Sequence, residues 1–351
     1  MTVLLQRRQR TMKEEKLKLA DWWKPVENDK ILCTLCPRYC TLGEGQAGFC
    51  YIRKNIDGKL YSIGYGRPTG FAIDPIEKKP LSHFHPGTTI LSFGTAGCNL
   101  GCKFCQNWSM SKARLDDLNS FEASPADVVE TAIRYNAPSI AFTYNDPTIF
   151  GEYVVDISKI ARERGINSVM VTAGYIDKEA RKDVYKYIDA ANVDLKAFTE
   201  DFYHKITYSH LDPVLDTLCW LKHETNIWFE ITTLLIPGKN DSPEEITKMV
   251  NWIMEHLGDS VPLHFTAFHP DFKMRDIEAT PASTLNMARN IALSAGLKYC
   301  YVGNVHDPDG QTTYCPYCKE ELIRRDWHSI YFNKVKNGKC FKCGTEIAGV
   351  F

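Results

Sequence analysis

Between residues 88 and 304, short β-rich runs alternate with stretches of helical period, and this alternation constrains the fold more than any other feature. The runs are TTILSF (88–93), SIAFTY (139–144), SVMVTA (168–173), NVDLKAF (192–198), IWFEITTLLI (227–236), LHFTAF (263–268) and YCYVGN (299–304). Four intervening stretches read as helices from their ends. SPADVVETAIRYN (124–136) opens with a serine cap and a first-turn proline; GEYVVDISKIARERG (151–165), DSPEEITKMVNWIMEHLG (241–258) and PASTLNMARNIALSAG (281–296) each stop at a glycine. The pattern predicts an α/β fold with a parallel sheet, either a partial or full (β/α) barrel or an open doubly wound sheet. In both, ligands gather at the C-terminal ends of the strands.

Those ends carry polar, Gly- and Pro-rich sets. In chain order they are a cysteine loop after the first run, YNDPT (144–148), TAGY (172–175), DLK (194–196), IPGKND (236–241), FHPDFK (268–273) and GNVHD (303–307). Ordinary βα turns favour the same residue types. Seven such sets on one rim, one of them bearing a metal motif, point to a ligand-lined mouth.

The cysteine loop, FGTAGCNLGCKFCQNWS (93–109), places Cys98, Cys102 and Cys105 at gaps of three and two. Three thiolates suit a [4Fe–4S] cluster with one iron left open for another ligand. Gly97 and Gly101 let the loop fold closely around a bulky group, and Phe104 can shield it. On spacing alone a zinc knuckle stays open, its fourth ligand being Cys219, Cys300 or one of the ten histidines.

Of the thirteen cysteines, eight more fall into two outer groups. Such tight spacing in an intracellular chain favours metal over disulfides. Cys315, Cys318, Cys340 and Cys343, in CPYC and CFKCG, have the form of a zinc ribbon, with four-cysteine iron as the alternative. Cys33, Cys36, Cys40 and Cys50 form a compact set for which zinc, the preferred metal, and an auxiliary iron–sulfur cluster both suit. Cys219 and Cys300 stand alone and read as small buried hydrophobes. The groups divide the chain into a Cys-rich N-terminal segment (1–86), a barrel core (87–310) and a zinc-ribbon-like C-terminal module (311–351).

A formal net charge of −1 gives no global pull toward nucleic acid or anionic lipid. The first twenty residues lack the apolar core of a signal peptide, and no apolar run reaches the roughly 18 residues of a membrane span. A cytoplasmic chain without membrane contact is expected. A different function class is offered by residues 319–342, where Lys319, Arg324, Arg325, Lys334, Lys336, Lys339 and Lys342 surround Trp327, Tyr331 and Phe332. Cations among aromatics can stack bases or bind a protein, but a strand packed on the barrel would have the same composition. An electron-transfer iron–sulfur protein is a further non-enzymatic alternative.

CNLGCKFC has the form CxxxCxxC with an aromatic before the last cysteine, and it resembles the signature of the radical S-adenosylmethionine (SAM) superfamily. The chain looks like the activating-enzyme branch typified by pyruvate formate-lyase activase, and resembles most of all the radical SAM member of the AmmeMemoRadiSam system. The likeness runs over nearly the whole chain, through LCTLCPRYCTLGEGQAGFCYIR, SFGTAGCNLGCKFCQNW, AFTYNDPTIF, VDLKAF, LIPGKND, HFTAFHPDFKM, YVGNV and the last cysteine pairs.

The resemblance implies that Cys98, Cys102 and Cys105 hold a [4Fe–4S] cluster whose open iron binds SAM through its amino and carboxylate groups. Reductive cleavage would then give methionine and a 5′-deoxyadenosyl radical that takes hydrogen from a substrate. Where relatives carry Gly-Gly-Glu-Pro, this chain has Asn145-Asp146-Pro147-Thr148, which keeps one carboxylate for the SAM amino group; an Asx-Pro turn is the alternative. Asp194 and Lys196 match the branch's Asp-x-Lys motif, toward ribose or sulfonium and toward the carboxylate, unless they form only a buried ion pair. Thr172-Ala173-Gly174 takes the place of a ribose-contacting turn but lacks its acid. His269 stands where activases place a SAM-contacting histidine, with His264 and His306 as competitors, and Phe104 faces the ligand. Implied partners are an electron donor such as ferredoxin or flavodoxin, and Memo-like and AmmeCR1-like proteins. Abstraction from a glycine of a partner enzyme is the alternative activity.

Overall fold

A computed structural model describes residues 17–351. The expectation that no leader precedes the fold rests mostly on residues 1–16, which lie outside the described ones. Among the described residues no helix is long and apolar enough to cross a membrane.

The centre is one eight-stranded sheet: β1 (Thr69–Pro75), β2 (Thr89–Gly94), β3 (Ser139–Phe142), β4 (Asn167–Thr172), β5 (Ala190–Asp194), β6 (Trp228–Leu235), β7 (Leu263–Ala267) and β8 (Cys300–Gly303). Strands neighbour one another in chain order, and β2 through β8 are parallel. All seven expected strands are present. The added strand, β1, runs antiparallel to β2.

Period-two alternation sorts the side chains to the two faces. Leu91, Ile140, Met170, Ala191 and Ile231 join the large core beneath the helices. Ile90, Ala141, Val169 and Ala190 instead enclose Ile76, Leu81 and Phe84, from the segment linking β1 to β2. That segment plugs the sheet's concave side. The full-barrel alternative is corrected here, because no ladder joins β1 to β8 among the described residues. The gap between the edges is occupied by the plug and by the C-terminal module, so no strand pairing can close it.

Five long helices pack outside: α1 (Pro125–Arg134), α2 (Gly151–Glu163), α3 (Asp212–Glu224), α4 (Pro243–His256) and α5 (Ala282–Ser294). Ser124 and Asp127 form a reciprocal capping box on α1, and Ser242 Oγ accepts from the Glu245 N–H on α4. Helix α3 falls in a stretch that carries no helical expectation above. Its Val214, Leu218 and Leu221 are buried at helical spacing.

The N-terminal segment forms two small antiparallel sheets whose Ile31, Leu35, Leu42, Ile52 and Leu60 belong to the same core as the main sheet. Arg53 fastens it to α2 by bonding both oxygens of Glu152, at 2.8 and 2.9 Å, both residues being 2% exposed. The C-terminal module has its own small core of Cys315, Leu322, Ile323, Cys340 and Ile347, which extends to Tyr299 and Tyr301 at β8.

Candidate cluster and cofactor site

The loop after β2 owes its course to three close approaches. A Cβ on Gly94 would lie 2.6 Å from both Thr143 O and Asn145 Oδ1. Gly97 has φ +82°, and its Cβ would fall 1.9 Å from the carbonyl oxygen of Cys50. At Gly101 the obstacle is Tyr208, 2.7 Å away. Asn145, just past β3, then clamps the loop. Its Oδ1 accepts from Thr95 N at 3.1 Å, and its Nδ2 donates to Thr95 Oγ1 at 3.1 Å and to Gly97 O at 2.7 Å.

Polar groups stand beside two of the sulfurs. The Leu100 N–H points at Cys98 Sγ, 3.5 Å away, and Cys105 Sγ lies 3.2 Å from Ser111 Oγ. Burial pushes the Cys102 thiol up to about 12, opposed by the nearby Lys196 ammonium, while Cys105 and Cys98 push it further up. Three crowded thiols of this kind lose their protons to a polycationic group, and so the donor set fits an iron–sulfur cluster. Among the described residues, no group of three or more His, Cys, Asp or Glu ligand atoms containing them lies within 4.8 Å.

Asp146 and Thr172 stand beside this loop. Asp146 accepts from the N–H groups of Thr148 and Ala173, both at 2.9 Å, and from Thr172 Oγ1 at 3.2 Å. Burial raises its pKa, and these donors oppose the rise. The carboxylate thus pins the end of β4 to that of β3. At the end of β5, Lys196 Nζ meets Asp194 Oδ2 at 2.9 Å. Burial opposes the Lys196 charge, but Asp194 and Cys102 outweigh it and hold its pKa above the ordinary lysine range. The ammonium also stands 5.9 Å from the Phe104 ring, and that ring packs against Phe202. His269 is exposed just past β7, with no hydrogen-bond or ion-pair partner among the described residues. Of its competitors, His264 is tied to Glu230 by an Nε2–Oε2 contact of 2.7 Å, and His306 lies 3.3 Å from Asp326.

Sequence reasoning missed a cavity of about 330 Å³ that opens beside Gln106 and Asn107, directly after Cys105. Lys79, Tyr144, Thr266 and Trp327 also line it. Lys79 is buried against Asp74, 2.7 Å away. Tyr144 adopts φ +73°, a backbone state unusual for an aromatic residue, and its carbonyl is held by Asn107 Nδ2 at 3.0 Å. Beneath lies a buried polar network. Glu230 accepts from the Ser82 and His83 N–H groups at 2.9 and 2.7 Å. His83 Nε2 meets Tyr301 OH at 2.5 Å, Tyr301 OH lies 2.8 Å from Thr313 Oγ1, and Arg325 donates to Thr313 Oγ1 and Ser82 O, both at 2.7 Å. A sequence signal for this network is Glu230, a carboxylate inside the apolar run IWFEITTLLI.

The C-terminal four sulfurs all lie within 4.8 Å, with Cys315–Cys343 at 3.6 Å and Cys318–Cys340 at 3.8 Å. A tetrahedron with metal–sulfur bonds of about 2.3 Å has edges of about 3.8 Å, so these four fit a single ion. Several cations of the basic stretch around them have acidic partners. Lys334 and Lys342 pair with Glu320, Arg324 with Glu321 and Lys339 with Glu346, and Arg325 is buried.

Residues 93–253 match the model of the radical SAM superfamily. An uncharacterized protein of Methanocaldococcus jannaschii is 44% identical over 334 residues, spanning 93% of this chain and 98% of that protein. The pyruvate formate-lyase-activating enzyme of Clostridium pasteurianum is 25% identical over 215 residues, 55% of this chain and 85% of that one. The 4-hydroxyphenylacetate decarboxylase activating enzyme of Clostridium scatologenes is 29% identical over 115 residues, 32% of this chain and 37% of that one.

Proposed function

The chain belongs to the radical SAM superfamily and is a radical SAM enzyme, and from that premise we propose that Cys98, Cys102 and Cys105 hold a [4Fe–4S] cluster beside a SAM site at the ends of β3 to β7. The observation that carries this reading is the glycine-lined loop clamped by Asn145, with its three thiols next to the Lys196 ammonium. When bound, cluster and SAM together supply reductive sulfonium cleavage and a hydrogen-abstracting radical.

The protein's part is placement. Asn145 and Asp146 fix the loop and the ends of β3 and β4, and the backbone carbonyls there are left to receive an ammonium. Lys196 offers its ammonium to a carboxylate, and the free oxygen of Asp194 offers an acceptor to ribose hydroxyls. Thr172 sets the turn beneath the ribose, His269 stands at the rim, and Phe104 screens the site from water. The cavity beside Gln106 holds the substrate's C–H group, and its size suits a small molecule or one inserted side chain.

A glycyl-radical activase is the second reading, favoured by the activating enzymes among the relatives. In either case the enzyme needs a one-electron donor such as ferredoxin or flavodoxin. Memo-like and AmmeCR1-like proteins are its proposed partners, and the cytoplasm its proposed compartment. Zinc in the C-terminal site is supported by the sulfur spacing.

Anaerobic reconstitution followed by SAM and dithionite tests the reading. Wild type should form 5′-deoxyadenosine and methionine, and Cys102→Ala should form neither. Intact SAM in both samples, with the iron present, would refute it.

A further inference from the structure

The cavity beside the cysteine loop carries a nucleophile that neither the cluster nor the SAM contacts use. Lys79 belongs to the plug segment between β1 and β2, and its side chain, 3% exposed, lines that cavity. Its Nζ stands 2.7 Å from Asp74 Oδ2 and 5.2 Å from the centre of the Tyr144 ring. The Tyr144 hydroxyl lies 3.5 Å from the same carboxylate oxygen. An amine, a carboxylate and a phenol thus meet in one wall.

A structural ion pair at Asp74 does not need Lys79. Lys78, half exposed, already meets the other oxygen of Asp74 at 2.9 Å. Lys79 is a second cation, taken out of water against a carboxylate whose charge is matched. Burial lowers its pKa, Asp74 opposes the fall, and the neighbouring Lys78 charge adds to it. Desolvation and a second cation are what make a lysine amine nucleophilic near neutral pH. Burial also pushes the Tyr144 phenol up to about 12, so it keeps a proton to give. Tyr144, held at φ +73°, keeps its ring beside this amine at the cost of an unfavourable backbone state.

We propose that Lys79 forms a Schiff base with a small aldehyde or ketone substrate in this cavity, with Asp74 and Tyr144 moving the protons. Asp74 takes one proton from the Lys79 ammonium. The freed amine adds to the carbonyl carbon, the carbonyl oxygen takes the Tyr144 proton, and the new C–N nitrogen gives one back to Tyr144. Asp74 then protonates the hydroxyl group, which leaves as water as the C=N bond forms. Ammonium and carbonyl become iminium and water, so charge and electrons balance, and the iminium keeps Asp74 as its partner. A C–H bond on the carbon beside an iminium is weakened, because the radical left there is delocalised over the C=N unit. Anchored near Gln106 and Asn107, that bond is presented for hydrogen abstraction. This use of the imine rests on the proposed function, whereas the imine itself does not.

The test exposes the full-length protein briefly to acetaldehyde with sodium cyanoborohydride, which reduces an iminium to a stable secondary amine. Alkylated lysines are then located by tandem mass spectrometry of the digest. Lys79 should be alkylated at least about tenfold faster than its exposed neighbour Lys78. Lys79→Arg, which keeps a cation beside Asp74, should lose this fast phase and leave the other lysines as they were. Alkylation of Lys79 no faster than that of Lys78 would overturn the proposal without any variant having to fold. A fast phase surviving in Lys79→Arg would overturn it too. Fast alkylation of Lys79 in a protein that forms no 5′-deoxyadenosine from SAM and dithionite would strike the proposed function and leave the imine site standing.

Discussion

Asn145 commits both of its amide protons and its carbonyl oxygen to Thr95 and Gly97, so the cysteine loop hangs on one side chain. Asn145→Ala removes three bonds and should cost about 2–4 kcal/mol, seen as a lowered urea midpoint and as incomplete iron loading on reconstitution. The string YNDPT singled out Asn145 and Asp146 but not their work. Their partners Thr95, Gly97 and Ala173 come from the ends of other strands, and a linear sequence does not say which ends will meet. Asp74 makes a separate prediction. Burial pushes its carboxyl up, but Lys79 and Lys78 outweigh this and hold it at about 2, below the ordinary 3.8. With the folded-state value depressed, its contribution is present above about pH 4 and is lost as pH falls toward 2. Asp74→Asn should therefore lower stability near neutrality by about 1 kcal/mol and flatten the loss between pH 4 and 2 in a denaturation series.

At the scale of elements, glycine positions separate what the loop needs from what any turn tolerates. Gly97→Ala must move the Cys50 carbonyl, whereas Gly238, at φ +67°, has nothing within 4 Å of its added Cβ. Gly238→Ala should cost only about 1–2 kcal/mol, and Gly97→Ala should cost more and also lower cluster content, as read by iron analysis of the two purified variants. The seven parallel strands were legible because buried β runs between capped helices leave a strong periodic trace. Strand β1, TGFAIDP, left none: it is an edge strand with mixed exposure that ends in proline. Helix α3 hid behind DPVLDTLCWLKHE, whose apolar positions are interrupted by Thr217 and Cys219. The cavity was invisible for a third reason, since Lys79, Tyr144 and Trp327 come from three distant segments.

For the whole molecule, the C-terminal module is part of the main fold's interior through Arg325, Thr313 and Tyr301. Stripping the metal proposed for its four cysteines with a chelator should lower Tm by about 5–10 °C and open residues 311–351 to protease, and Cys318→Ser should do the same. Unchanged proteolysis after verified metal loss would show that the module holds without it. The end of the module runs back to the plug. Val350 N–H bonds His83 O, His85 N–H bonds Val350 O, both at 2.7 Å, and His83 Nδ1 meets Ala348 O across 265 residues of chain. A growing polypeptide emerges amino end first, at about 5–20 residues per second, so residues 81–85 wait roughly 13–50 s on the ribosome before their last partners exist. Through that interval the plug lacks its C-terminal cover, and late in it the thiols of both earlier cysteine groups are already outside the tunnel. The nascent chain is thus open to metal delivery, and to aggregation, until synthesis reaches the segment that shuts it.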